Sequence, residues 1–230
     1  FEERIKKLLE EKRKALVVRE VFDTIRDSCY DLLMEVAEAM EVTDYITFTT
    51  SPMQVRFRNG SRIIFKGMDK PAKLKSLNGV SIVWIEECSE VKYAGIKEIL
   101  GRLRHPTLSN HIILSTNPVS KSNWVYKYFF QDKAAGYKVL DDEELYQNRI
   151  MVVGNTYYHH STVDDNYFVP ADYIGQLDEL QQHDPDLYRV ARKGRFGING
   201  RLVFPQFEVR TEREITECIK GITNPIEKNG

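Results

Sequence analysis

Three short, nearly uninterrupted apolar runs constrain this chain more than any other feature. Ala15-Leu16-Val17-Val18, Ser81-Ile82-Val83-Trp84-Ile85 and Ile112-Ile113-Leu114 are strand-sized, and none alternates with charged residues. A strand with one face in water alternates, whereas a strand covered on both faces does not, so these runs belong to a sheet with helices on both sides. Helical periodicity fills the intervals. Phe1, Ile5, Leu8 and Leu9 recur at helical spacing ahead of the first run, with no lead-in before Phe1, so the natural N-terminus is expected upstream. Ile25, Cys29, Leu32, Leu33, Val36 and Met40 line one face of a second helix over 24–40, with Thr24 and Asp27 placed as a capping box. A third helix is expected after Glu86-Glu87, running to about Leu103.

Strand, acidic end, helix, strand and polar end in that order predict an α/β fold with a mostly parallel sheet whose functional groups gather at the carboxyl ends of its strands. Ile46 to Thr50 reads as a further strand. Asn59-Gly60, between the Val55/Phe57 segment and Ile63-Ile64-Phe65, predicts a hairpin. Beyond a strand near Arg149 to Val153, a loop is expected over Thr156 to Asn166, then helices near Pro170 to Gln182 and Pro185 to Arg192, both opened by prolines of the kind a first turn accepts. From Gly194 onward, Gly197, Gly200, Pro205 and Pro225 lie among polar residues and read as a linker. The expected division is a core over 1–155, a small helical lid over 156–197 and a linker over 198–230.

Composition narrows the function classes. With 33 basic and 34 acidic residues the chain lacks the uniform positive field of a protein that coats nucleic acid, although a local DNA-facing patch is compatible with this balance. Its three cysteines, Cys29, Cys88 and Cys218, are far apart with no CxxC pair, which argues against a zinc site or a disulfide scaffold and fits a reducing cytoplasm. The apolar runs fall well short of the roughly 20 residues a membrane helix needs. A soluble intracellular protein with no membrane partner is expected.

Chemistry concentrates at two strand ends. Adjacent carboxylates after an apolar strand suit phosphate transfer: Glu86 to hold magnesium and Glu87 to polarise the water that attacks a γ-phosphate. Taken alone, Ile-Glu-Glu reads first as an ordinary acidic turn, because strand ends are often charged. One strand later, Ser115-Thr116-Asn117-Pro118 brings two hydroxyls and an amide to the neighbouring tip, where they can sense the phosphate or its water; Ser-Thr-Asn-Pro is also ordinary turn chemistry.

Together these segments carry a family resemblance. Val80 to Glu87 resembles the Walker B strand of terminase large subunits, the DNA-packaging motors of tailed bacteriophages, and Ile113 to Pro118 resembles their coupling motif. Further matches are Leu16 to Arg19, Thr24 to Ser28, Phe65-Lys66-Gly67 with Lys73 to Ser76, Gly101 to Arg104, and Tyr188-Arg189 through Gly194 to Gly197, an ordered series over nearly the whole chain. The resemblance implies a RecA-like fold of the ASCE P-loop NTPase type, hydrolysis of ATP with Mg2+, and a ring of neighbouring copies on the portal protein that drives double-stranded DNA into a procapsid in the host-cell cytoplasm, with the small terminase subunit as a further partner. Two departures stand out. No GxxxxGK[ST] loop occurs in the sequence, although its amides, lysine and hydroxyl hold the phosphates and the metal; Phe1 falls where the helix after that loop is already under way. The family's nuclease domain is expected after the present C-terminus. Members often carry Asp-Glu where this chain has Glu86-Glu87, one methylene longer at the first position.

A ring ATPase also needs a cation for the charge developing on the transferred phosphoryl group. Lys73 and Lys75, favoured by position ahead of the Walker B strand, or Arg102 and Arg104, are the candidates for a trans-acting one. Arg19, ending a strand at the active edge, and Arg26, one turn into the next helix, are candidates for nucleotide contact. Arg56, Arg58 and Arg62 around the hairpin either touch DNA or guard a sheet edge. His159-His160 beside Asp164-Asp165 reads as a polar loop, because adjacent residues in extended chain point apart and do not converge on a metal. Two rival functions follow from the same residues: a catalytically inactive module that docks on portal or neighbouring subunits, and a helicase-like ATPase that unwinds DNA.

Overall fold

A computed structural model describes residues 2–69, 78–131 and 142–197. Contacts divide the chain into Phe1–Ile198 and Asn199–Gly230, and every described residue belongs to the first unit. Lys73, Lys75 and the expected linker over 198–230 lie outside the described residues.

Each apolar run is a strand of a six-stranded sheet ordered β2-β3-β4-β1-β5-β6. The strands are β1 (Lys14–Arg19), β2 (Ile46–Thr50), β3 (Met53–Phe57), β4 (Arg62–Gly67), β5 (Ile82–Ile85) and β6 (His111–Leu114). β4, β1, β5 and β6 are mutually parallel, whereas β2 and β3 add an antiparallel edge. Successive side chains leave a strand on opposite faces, and the core divides accordingly. Ala15, Val17, Ile63, Phe65, Ile82 and Trp84 pack with Ile5 and Leu8 of α1 (Glu2–Glu10), and with Leu33 and Ala37 of α2 (Asp31–Ala39). Leu16, Val18, Val83 and Ile85 pack on the other face with Ile96 and Ile99 of α3 (Tyr93–Arg102) and with Val125 of α4 (Trp124–Tyr126). Both faces are covered over β1 and β5, which is why these read as continuous apolar runs; the third run departs from the expectation, because β6 is the edge strand, only half-buried, with Ile112 exposed.

The hairpin at Asn59-Gly60 forms with a three-residue loop, Arg58 to Gly60. The Gly60 amide donates to the Phe57 carbonyl at 2.9 Å, and Gly60 takes the left-handed φ of +85° that glycine adopts without a Cβ penalty. The Asn59 amide nitrogen donates to the Leu8 and Leu9 carbonyls at 2.7 and 2.9 Å and so closes the carboxyl end of α1.

Two expectations are corrected. No capping box forms at Thr24 and Asp27. A 3-10 turn over Phe22–Thr24 already precedes the helix, so the Thr24 hydroxyl turns back to the Val21 carbonyl at 2.9 Å, and the chain enters α2 through a π-helical turn, Arg26–Tyr30. The expected loop over 156–166 begins instead as a strand. β7 (Ile150–Val153) and β8 (Thr156–His159) form an antiparallel hairpin whose turn lies at Gly154-Asn155, because Tyr158 packs inward against Leu145 while Tyr157 and His159 face outward. After it come α6 (Ala171–His183) and α7 (Pro185–Leu187), the latter prolonged by a π-helical turn over Tyr188–Arg192. Arg192 is 9% exposed and holds Asp164 at 2.6 Å and Asp178 at 2.7 Å, which ties the turn after β8 to α6. A further helix is α5 (Asp142–Asn148).

Phe196 returns to the sheet's second core, with its ring 5.0 Å from Tyr126 and 5.2 Å from Phe130. Beside it the Gly197 amide donates to the Pro118 carbonyl at 3.4 Å, and the Lys121 amide donates to the Gly197 carbonyl at 3.2 Å. The segment leaving β6 is thus bonded directly to the end of the C-terminal helices.

Candidate active site

Parallel pairing brings the ends of β1, β5 and β6 to one edge. The Glu86 amide donates to the Val18 carbonyl at 2.9 Å and the Ser115 amide to the Ile85 carbonyl at 3.1 Å, so the ladder continues one residue past β5 and β6. The chain then breaks sharply. Glu87 sits at φ +49°, a left-handed conformation that costs a side-chain-bearing residue on the order of 1–2 kcal/mol. Two bonds hold it there: the Glu90 amide donates to the Glu87 carbonyl at 3.0 Å and the Cys88 amide to the Ser115 carbonyl at 2.9 Å.

The break sends the two carboxylates to different partners. Glu86 Oε2 accepts from the Trp84 indole Nε1 at 3.1 Å and from the Ser115 hydroxyl in a very short bond. Glu87 Oε1 faces the Asn117 side-chain amide at 3.4 Å. Burial, and then the negative charge of Glu86, push the Glu87 carboxyl above its ordinary value, against the opposing effects of a hydrogen bond with Asn117 and the charge of Arg19. A carboxylate raised in this way is suited to take a proton from water.

Of the expected coupling residues, Ser115 and Asn117 reach the carboxylates and Thr116 does not. The Thr116 hydroxyl donates to the Asn117 carbonyl at 2.9 Å and interacts with the thiol of Cys88, on the other side of the strand. Burial beside Glu87 pushes the Cys88 thiol up to about 12, so it is an inert core group. Arg19 ends β1 with Nη1 donating to the Thr24 carbonyl at 3.3 Å, while its buried Nε has no hydrogen-bond partner. Arg26 is exposed, and its charge acts on Tyr30. Arg102 pairs with Glu98 at 2.6 Å along α3, and Arg104 is exposed in the segment that returns the chain to the amino edge of the sheet. Neither joins the carboxylates within this chain.

Elsewhere, Arg56, Arg58 and Arg62 are exposed, with Arg58 5.4 Å over the Tyr45 ring. The His159, His160, Asp164 and Asp165 group is occupied by structural contacts: His160 Nε2 bonds with the Gly194 carbonyl at 2.9 Å, and Asp165 pairs with Arg149 at 3.3 Å. Trp84 is the neighbour that motif reading passes over. Its signal is an aromatic two residues before Glu86, hence on the same strand face.

These residues fit Mg2+ and a nucleoside triphosphate. Both hydrogen bonds to Glu86 fall on Oε2, which leaves Oε1 for another partner, and the unsatisfied Arg19 Nε is a cationic donor suited to an anionic oxygen. Among the described residues no group of three or more His, Cys, Asp or Glu converges on a metal position. One or two carboxylates completed by substrate oxygens and water is the coordination Mg2+ favours.

The family model described as phage terminase large subunit matches residues 2–195. The PBSX phage terminase large subunit of Bacillus subtilis (strain 168) is 58% identical over 224 residues, covering 97% of this chain and 52% of that protein. The terminase large subunit of Bacillus phage SPP1 is 27% identical over 205 residues, 84% of this chain and 44% of that protein. The chain therefore spans about half the length of these curated relatives. Among solved structures, the large terminase of a thermophilic bacteriophage superposes with a TM-score of 0.65 at 10% identity, over 90% of this chain and 47% of that one. The large terminase ATPase domain of a Thermus phage superposes with a TM-score of 0.53 at 14% identity, over 84% of this chain and 81% of that one. The fold is the α/β RecA-like fold of terminase ATPase domains, and the chain belongs to the phage terminase large subunit family.

Proposed function

We propose that this chain is the ATP-hydrolysing motor segment of a terminase large subunit, which drives double-stranded DNA into a procapsid. The observation that carries the reading is the junction of β5 and β6, where one broken turn directs Glu86 to Ser115 and Glu87 to Asn117. Glu87, with its raised proton affinity, takes the proton of the attacking water while Asn117 orients the carboxylate. Glu86 holds Mg2+, which when bound neutralises charge on the phosphate oxygens. Arg19 offers its free Nε to a phosphate oxygen; Arg26 is a weaker candidate for nucleotide contact. Support for a nucleotide ligand comes from the related fold of the thermophilic bacteriophage's large terminase, solved in complex with ATP-gamma-S and with ADP.

In this reading Ser115 to Asn117 report hydrolysis through the Pro118–Lys121 segment to Gly197, and the helices of 156–197 act as a lid on the core of 1–155. A cation from a neighbouring copy in a ring completes the site, with Lys73, Lys75, Arg102 and Arg104 as candidates. The portal protein, the small terminase subunit and the host cytoplasm as the place of action follow from the family alone. The test is Mg2+-dependent ATP turnover of the full-length protein, with and without duplex DNA, in wild type and Glu87→Ala. Turnover in wild type that collapses in the variant is expected; equal rates sink the assignment. Portal binding without any hydrolysis would establish the docking module instead, and strand separation would establish the helicase.

A further inference from the structure

We propose that Trp84 is a positioning residue of this site: its indole N–H locks the Glu86 carboxylate and the Ser115 hydroxyl into one hydrogen-bonded unit, so that the charge state at Glu86 is felt at the start of the coupling segment. The metal arm of the inference rests on the function proposed above; the hydrogen-bonded unit does not.

Burial sets the requirement. Trp84 is 6% exposed on the α1/α2 face of β5, in register with Val17 of β1 and Ile113 of β6. An indole N–H buried to this degree needs an acceptor, because leaving it unpaired forfeits the hydrogen bond it makes with water in the unfolded chain. An all-apolar neighbourhood would be met more cheaply by phenylalanine. Here the N–H has two acceptors, Glu86 Oε2 at 3.1 Å and Ser115 Oγ at 3.0 Å. Ser115 in turn donates its own proton to Glu86 Oε2, with the Ile85 carbonyl at 3.4 Å as the alternative acceptor. The three groups close a triangle in which every edge is a hydrogen bond.

The triangle has a direction. Both donors act on Oε2, so the carboxylate plane is fixed and Oε1 is the oxygen left for a cation. Were a cation held at Glu86, both bonds at Oε2 would weaken, the indole N–H would shift its weight to Ser115 Oγ, and the hydroxyl would turn toward the Ile85 carbonyl. The Ser115 backbone is pinned on both sides, by the Ile85 carbonyl at 3.1 Å and the Cys88 amide at 2.9 Å, so the hydroxyl rotor is the part free to respond.

Two measurements test this. In the 230-residue chain labelled with 15N-tryptophan there are two indole N–H signals; that of Trp124, bonded to the Val91 carbonyl at 2.8 Å, is the internal control. Glu86→Gln is expected to move the Trp84 signal upfield and leave Trp124 in place; an unmoved Trp84 signal overturns the proposal whatever the protein's activity. In the full-length protein, Trp84→Phe is expected to raise the Mg2+ concentration for half-maximal ATP turnover about tenfold or more, as loss of an outer partner of a metal-binding carboxylate does, with KM for ATP little changed. Trp84→Phe and Ser115→Ala together should cost less than the product of their separate effects. An unaltered Mg2+ requirement, with only a lower melting temperature, would make Trp84 a packing residue and overturn the proposal. A wild type without Mg2+-dependent turnover, but with a Trp84 signal that answers Glu86→Gln, would sink the proposed function while the positioning role stands.

Discussion

Gly197→Ala isolates the connection between the coupling segment and the C-terminal helices. Gly197 lies against backbone: a Cβ built there meets the Val119 carbonyl oxygen at 2.5 Å and Val190 Cγ2 at 3.3 Å. A carbonyl oxygen cannot swing aside like a side-chain end, so either the 118–121 segment or the 195–197 segment must shift. Such overpacking costs about 1–3 kcal/mol. Shifting also strains the two backbone bonds that join the segments, from Gly197 to Pro118 and from Lys121 to Gly197, each worth about 0.5–1.5 kcal/mol when well made. Because the first of these is long, a total of about 2–3 kcal/mol is the reasonable expectation, which for a domain of this size lowers Tm by about 4–12 °C. The control is the same substitution where the neighbourhood is open. Gly175, exposed within α6, has nothing within 4 Å of a built Cβ, and Gly175→Ala should raise stability by about 0.5–1 kcal/mol through helix propensity. Thermal melts followed by circular dichroism read both. A Gly197→Ala protein that melts with wild type, while Gly175→Ala shifts upward, would refute the close approach and with it the proposed line of coupling.

Further outcomes follow from the same geometry. Glu87→Gln should lower ATP turnover of the full-length protein by about 100-fold or more, the contribution of a positioned general base, while nucleotide binding measured by fluorescence titration persists. Since burial and Glu86 hold the Glu87 carboxyl above 4.5, the base form is lost as pH falls through that raised value. The acid limb of kcat/KM should therefore lie above pH 4.5. Asp164 behaves oppositely: the hydrogen bond from Arg192 holds its carboxyl below 3.8, so the stability it confers is complete above that unfolded value and is lost as pH falls through the lower folded one. Acid melts should show that loss in wild type and lack it in Arg192→Leu, which should also melt lower at neutral pH. Asn59→Ala removes the bonds to the Leu8 and Leu9 carbonyls and to the Ser61 amide, and should reduce stability by about 1–2 kcal/mol in urea unfolding.

Much of the architecture was legible because it depends on burial, and burial is written in side-chain type. Leu16 and Val18 must be covered as fully as Ala15 and Val17, and only a sheet between two helical layers does that. Only the first strand of the β7–β8 hairpin was expected, although the signal for the second was present. Gly154-Asn155 separates two four-residue runs in the way a two-residue turn does, but the polar His159-His160-Ser161 that follows masked the alternation set by Tyr157 and Tyr158. The Thr24 cap failed for a different reason. Capping is a contest over where the first helical turn begins, and Phe22–Thr24 had already turned.

The candidate active site lies at the limit of such reading. Period-two geometry predicts that Ser115 and Asn117 share a side and that Thr116 opposes them, and Thr116 does turn to Cys88. The same rule applied to Glu86 and Glu87 would place consecutive carboxylates on opposite faces of a strand, and two acids held that way could not serve one phosphate. The left-handed backbone at Glu87 breaks that rule, a conformation that residue does not favour and that no local pattern announces. It is held from the segment that follows β6, where the Ser115 carbonyl accepts the Cys88 amide and Asn117 faces the Glu87 carboxylate. The turn at the acidic pair is therefore held by its neighbouring segment. It follows that a substitution at Ser115 or Asn117 should disturb the geometry of the acids as well as any signal they send.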